Sequence, residues 1–162
     1  MRTVTPELLR ELSRYPRYPR TAADLVRIAG CEGAARLIST WRGQEWPVPM
    51  REGGATPAGV RRYQQLVELI GEPAARRVVA EWRGQKLYVP SLKEVLADYI
   101  AQKVRDEFDE LSAKGYSAPE AVFELGIKHD ISGRWVEKLI ASPNTELSAV
   151  RDDAQGSLFF WE

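Results

Sequence analysis

Three things are scarce in this 162-residue chain: cysteine, histidine and long apolar runs. The one cysteine, Cys31, has no partner for an internal disulfide, which fits a reducing compartment, and it reads as a small buried side chain. The one histidine, His129, stands in no Cys/His pattern with metal-ligand spacing, so no metal is expected and His129 reads as structural. No glycine-rich phosphate loop is present, which makes an enzyme the weakest function class and leaves no cofactor to expect. No apolar stretch approaches the ~20 residues that span a bilayer. Met1–Pro6 lacks the apolar centre of an export signal, so a cytoplasmic location without a membrane partner is expected.

Net charge is also missing: 23 Lys+Arg balance 23 Asp+Glu, which argues against a general nucleic-acid binder. The balance hides a gradient. Residues 1–91 hold 15 basic against 9 acidic side chains (+6), residues 92–142 hold 7 against 10 (−3), and residues 143–162 hold 1 against 4 (−3). The cluster Asp106, Glu107, Asp109 and Glu110 reads as an ordinary solvated helix face.

What the chain does have is a repeat. Residues 25–49 and 66–90 align without gaps at an offset of 41, with 11 identities in 25 positions. Trp41-Arg42-Gly43-Gln44 matches Trp82-Arg83-Gly84-Gln85, and Val48-Pro49 matches Val89-Pro90. Such self-similarity marks a duplicated unit, and each copy reads as helix, helix, strand. Thr56-Pro57 and Thr21–Asp24 look like helix starts, and Gly71 and Gly84 like helix stops. The strands carry Trp46 and Val48 in one copy and Leu87, Tyr88 and Val89 in the other. Their expected use is a short two-stranded antiparallel pair, within one chain or between two, covered by helices. Pro47 confines its strand to an edge.

The fold class is therefore mostly α, in four parts. Residues 1–20 form a short helix and a basic linker, extended because prolines recur at 16 and 19. Residues 21–91 hold the helix–helix–strand units, residues 92–142 hold three helices, and residues 143–162 form a polar, flexible tail. In the third part Ser91–Glu94 reads as a capping box opening a long helix, with Val95, Leu96, Tyr99, Ile100, Val104, Phe108 and Leu111 on one stripe. Ser117–Glu120 is a second capping box, and Ser132 caps the last helix.

These last two helices have the register of a helix-turn-helix. Gly126 supplies the small residue where the helices touch, Asp130 the left-handed turn residue, and Val136 the buried aliphatic, with Leu125, Ile131 and Leu139 bridging. The second helix would enter the major groove by its N-terminal end. Ser132, Gly133, Arg134 and Lys138 are the candidate DNA contacts, Arg134 foremost because a guanidinium pairs bidentately with guanine. Lys128 is a candidate phosphate contact, and Trp135 reads as packing. An ordinary three-helix bundle would use the same spacing.

Three motifs in order resemble the Mor transcription activator family of Mu-like phages: Gly84-Gln85-Lys86-Leu87-Tyr88-Val89-Pro90, Arg105-Asp106-Glu107-Phe108, and Ser132-Gly133-Arg134-Trp135-Val136. The likeness covers roughly residues 57–142. It implies a phage or prophage activator that binds double-stranded DNA, recruits host RNA polymerase and works in the host cytoplasm at the nucleoid. It implies an intertwined homodimer with one recognition helix per chain. The duplicated first unit departs from the family pattern and leaves open an intrachain pseudo-dimer with one reading head.

The end of the chain offers a competing reading. Gln155, Ser157, Leu158, Phe159 and Phe160 resemble the peptide by which bacterial proteins bind the host replication sliding clamp. A non-transcriptional adaptor or regulator held to the clamp by that peptide is the alternative function. Folding of the same aromatic cluster onto the protein's own core is the other possibility.

Overall fold

The computed structural model describes residues 3–149. Among them the chain is mostly helical, with one two-stranded antiparallel sheet. No helix of these residues is long and apolar enough to cross a membrane.

Helix α1 (Pro6–Leu12) starts where the Thr5 side chain accepts from the N–H of Leu8 and proline fills the first turn. The stretch after it is not extended. Tyr15 N–H donates to Leu12 O and Tyr18 N–H to Tyr15 O, so the chain turns on itself. Burial decides this against the proline pattern: Tyr15 is 5% exposed and lies edge-on to Tyr99 at 5.9 Å. Arg17, expected in an extended basic linker, instead bonds Asp98 through two nitrogens at 2.6 and 2.7 Å.

Helix α2 (Arg20–Trp41) is broken at Gly30, whose φ of 80° and ψ of 163° suit only glycine. It begins after Pro19 with no side-chain cap, so the Thr21–Asp24 box does not form. Helices α3 (Pro57–Ile70) and α4 (Glu72–Trp82) are separated in the same way by Gly71, at φ 84° and ψ 160°. Strand β1 (Glu45–Pro47) follows α2, and β2 (Lys86–Tyr88) follows α4. They pair antiparallel, Glu45 to Tyr88, Trp46 to Leu87 and Pro47 to Lys86. Trp46 and Leu87 are buried against the helices, Val48 and Val89 are buried just beyond the strands, and Tyr88 is exposed. Trp41 stacks on Trp46 at 5.2 Å. These residues, with Leu25, Leu37, Ile38, Leu66, Val78 and Val79, make the larger core.

Helix α5 (Lys93–Ala113) joins this core to a second, smaller one. Its apolar stripe is divided. Val95, Leu96 and Tyr99 pack on the first core, while Ile100, Val104, Phe108 and Leu111 pack on the second. The reciprocal Ser91–Glu94 box does not form either: Ser91 Oγ accepts from Lys93 N–H at 3.4 Å instead, and Leu92, its side chain buried, precedes α5 at φ 59°.

Helices α6 (Ala118–His129) and α7 (Gly133–Ala141) close the second core with Leu125 and Val136. The first part of the tail is pinned, contrary to the flexible reading. Thr145 N–H donates to Gln102 Oε1 at 2.8 Å, and Ser148 N–H to Arg14 O at 2.9 Å. A polar tail can dock when buried acceptors and donors await it on the body.

Candidate nucleic-acid interface

The geometry of α6 and α7 follows from five residues. Ser117 accepts from Glu120 N–H at 3.3 Å while Glu120 accepts from Ser117 N–H at 3.1 Å, the reciprocal cap expected from the sequence. At the other end of α6, Asp130 adopts φ 53° and ψ 49°, turning the chain in the left-handed region that aspartate tolerates. Gly126 makes the crossing close. A Cβ there would stand 3.0 Å from the carbonyl oxygen of Ile131 and 4.0 Å from a methyl of Val136. The N–H of Ile131 in turn donates to Gly126 O at 3.0 Å. Ser132 opens α7 by accepting from Trp135 N–H at 3.1 Å.

Once α7 is set, its helical period divides it. Val136 is fully buried, and Leu139 and Ile140 are half-buried against α5 and α6. Ser132, Arg134, Trp135, Glu137 and Lys138 are exposed and line one surface depression. Arg134 has no ion-pair partner among the described residues. Gly133 is exposed but also structural, since a Cβ there would lie 3.3 Å from a Val122 methyl. Trp135 does not pack inside as the sequence reading had it. It is 46% exposed, with the Lys138 ammonium 4.8 Å from its ring centroid.

The remaining candidate, Lys128, lies at the end of α6. Its Nζ is 2.9 Å from Glu107 Oε1, and His129 Nε2 is 2.9 Å from the other oxygen, Oε2. Burial pushes the Glu107 carboxyl up, but the hydrogen bonds from His129 and Lys128 and their charge outweigh it and hold it below its ordinary 4.5. Glu107 thus ties the end of α6 to α5, and His129 is structural.

Two groups that set the surface were not assigned roles from the sequence. Arg105 and Gln102 are buried in α5, each 7% exposed. Arg105 donates to the main-chain oxygen of Leu139 at 3.2 Å, to Thr145 Oγ1 at 3.3 Å and to Gln102 Oε1 at 2.9 Å. Gln102 Nε2 donates to Asp106 at 2.9 Å and to Asn144 at 3.2 Å. The Arg-x-Glu-Phe motif is therefore a clamp: Arg105 holds the end of α7, Glu107 the end of α6, and Phe108 packs beneath. The motif itself was the available signal. Phe123 and Ile127, each 65% exposed on α6, were also missed.

The proposed clamp peptide, Gln155 to Phe160, lies outside the described residues. Among the described residues no His/Cys/Asp/Glu group has the arrangement to hold a metal ion. Comparison with family models, with curated proteins and with solved structures finds no match to this chain.

Proposed function

We propose that residues 118–141 form a DNA-reading helix-turn-helix, and that the protein is a sequence-specific transcription activator of phage or prophage type that recruits host RNA polymerase. The observation that carries the DNA reading is the outward face of α7. Arg134 in the first turn and Lys138 in the last turn stand exposed on a short, capped helix, and its opposite face is anchored by Val136. This is the arrangement that lets a helix present side chains to base edges in a major groove. The transcriptional part rests on the three motifs shared with the Mor family, and residues 25–49 and 66–90 are read as two copies of one helix–helix–strand unit.

Arg134 is the principal base reader, Ser132 and Gly133 allow close approach, and Lys138 neutralises phosphate or extends the reading. Lys128 is a weaker phosphate contact, because its ammonium already serves Glu107. Glu137 lies between Arg134 and Lys138 in sequence and limits non-specific attraction. Specificity then depends on geometry more than on net charge, consistent with the neutral chain.

The test is an electrophoretic mobility shift with the natural promoter region and Arg134→Ala. Loss of about 1–3 kcal/mol of specific affinity, roughly 5- to 150-fold, is expected. Unchanged affinity with a folded variant removes Arg134 as a base reader.

A further inference from the structure

The two units meet about a local two-fold axis. Position 46 of one copy corresponds to position 87 of the other, and these two residues face each other across the sheet. The flanking hydrogen bonds come in matched pairs. Gly43 N–H donates to Val89 O at 2.8 Å, and its counterpart Gly84 N–H donates to Val48 O at 3.2 Å. Val89 N–H donates to Gln44 O and Val48 N–H to Gln85 O, both at 2.9 Å. A groove elsewhere between the units obeys the same relation. Its lining includes Ala29 with Ile70, Gly33 with Ala74, and Arg36 with Arg77, each pair 41 residues apart. Self-complementary contact of this kind is what a symmetric homodimer interface shows, yet here both halves belong to one chain.

The symmetry stops at Pro49 and Pro90. After Pro90 the chain enters α5 and the α6–α7 head. After Pro49 it enters a loop folded back on α3, so tightly that a Cβ on Gly54 would stand 2.3 Å from Val60 N. One copy therefore carries a head and the other carries none. The sheet offers a second chain little edge, since each strand is three residues long and Pro47 lacks an N–H.

We infer that the chain is a self-contained pseudo-dimer and that its ligand is a single, unrepeated element of duplex DNA, bound by one chain. The DNA half of this inference rests on the reading head proposed above; the pseudo-dimer half does not.

The test uses the full chain. Glu45 and Tyr88 are exposed partners across the sheet, so Glu45→Cys with Tyr88→Cys should oxidise to an internal disulfide. The two single variants control for Cys31. The double variant should run as one chain of 18.3 kDa without reductant, and the wild type should have that molar mass in solution at all concentrations. A cross-linked dimer, or a wild type of twice that mass, overturns the pseudo-dimer. On DNA, one chain per duplex and one protected block about one helical turn long are expected. Two chains on an inverted repeat, with neither binding alone, overturn the single-element ligand. A monomeric, internally cross-linked protein that binds no duplex supports the pseudo-dimer and overturns the reading head.

Discussion

Arg105, buried in α5, donates to the main-chain oxygen of Leu139 near the end of α7, 3.2 Å away. The same guanidinium reaches Thr145, so one side chain fixes both the angle of the surface helix and the chain that leaves it.

Arg105→Ala leaves the oxygens of Leu139 and Gln102 short of a donor. Each acceptor keeps one donor, Ser142 N–H for Leu139 and Thr145 N–H for Gln102, so the expected cost is that of the lost charge-assisted hydrogen bonds, about 1.5–3 kcal/mol of stability. Amide exchange at Thr145, which donates to Gln102, should accelerate first. Unchanged exchange at Thr145 would show that Arg105 does not hold that segment.

Glu107 makes stability depend on acid. Its folded-state carboxyl titrates below the ordinary 4.5, so the unfolded chain takes up its proton first as pH falls. The stabilisation is complete above about pH 4.5 and disappears as pH drops through the lowered folded value. Thermal unfolding midpoints should fall more steeply below pH 4.5 for wild type than for Glu107→Gln. Equal slopes would contradict the bridge to His129 and Lys128.

Gly126→Ala places a methyl 3.0 Å from the Ile131 carbonyl, forcing α6 and α7 apart. A loss of about 1–3 kcal/mol is expected, as for other overpacked contacts. Circular dichroism melts give the stability. Specific DNA affinity should fall even at temperatures where the variant remains folded, and retention of full affinity would show that the crossing angle does not matter.

Much of this was legible in the sequence because it is local. The Ser117 box, the Asp130 turn and the Ser132 cap each depend on a few neighbouring residues, and each formed as read. The antiparallel pair was legible because the repeat placed two strands of like sequence in one chain. What failed depended on distant burial. The Tyr15 ring and the Leu92 side chain are drawn into the core, bending a proline-rich stretch and displacing the Ser91 cap. Trp135 misled for the converse reason: it read as a packing residue, but the helical period that buries Val136 turns it outward. The partners of the Gln102–Arg105 clamp lie more than thirty residues away in sequence, so the Arg-x-Glu-Phe motif marked Arg105 but not what it holds.

The acidic neighbour of the reading residues yields a further expectation. Glu137→Gln should raise affinity for any duplex a few-fold at low salt, without sharpening sequence preference. Lys128→Ala should leave the salt dependence of binding nearly unchanged, since its charge is engaged with Glu107. Titrations at several salt concentrations decide both; a salt slope reduced by about one in Lys128→Ala would show it to be a full phosphate contact instead of a weak one.

The most direct measurement is enrichment of random duplexes by the wild-type protein and by Arg134→Ala, sequenced side by side. The expected result is one enriched element for wild type, containing a guanine whose preference is lost in the variant while neighbouring positions persist. No enrichment by the wild type, or the same element with the same guanine from both proteins, would contradict base reading by α7.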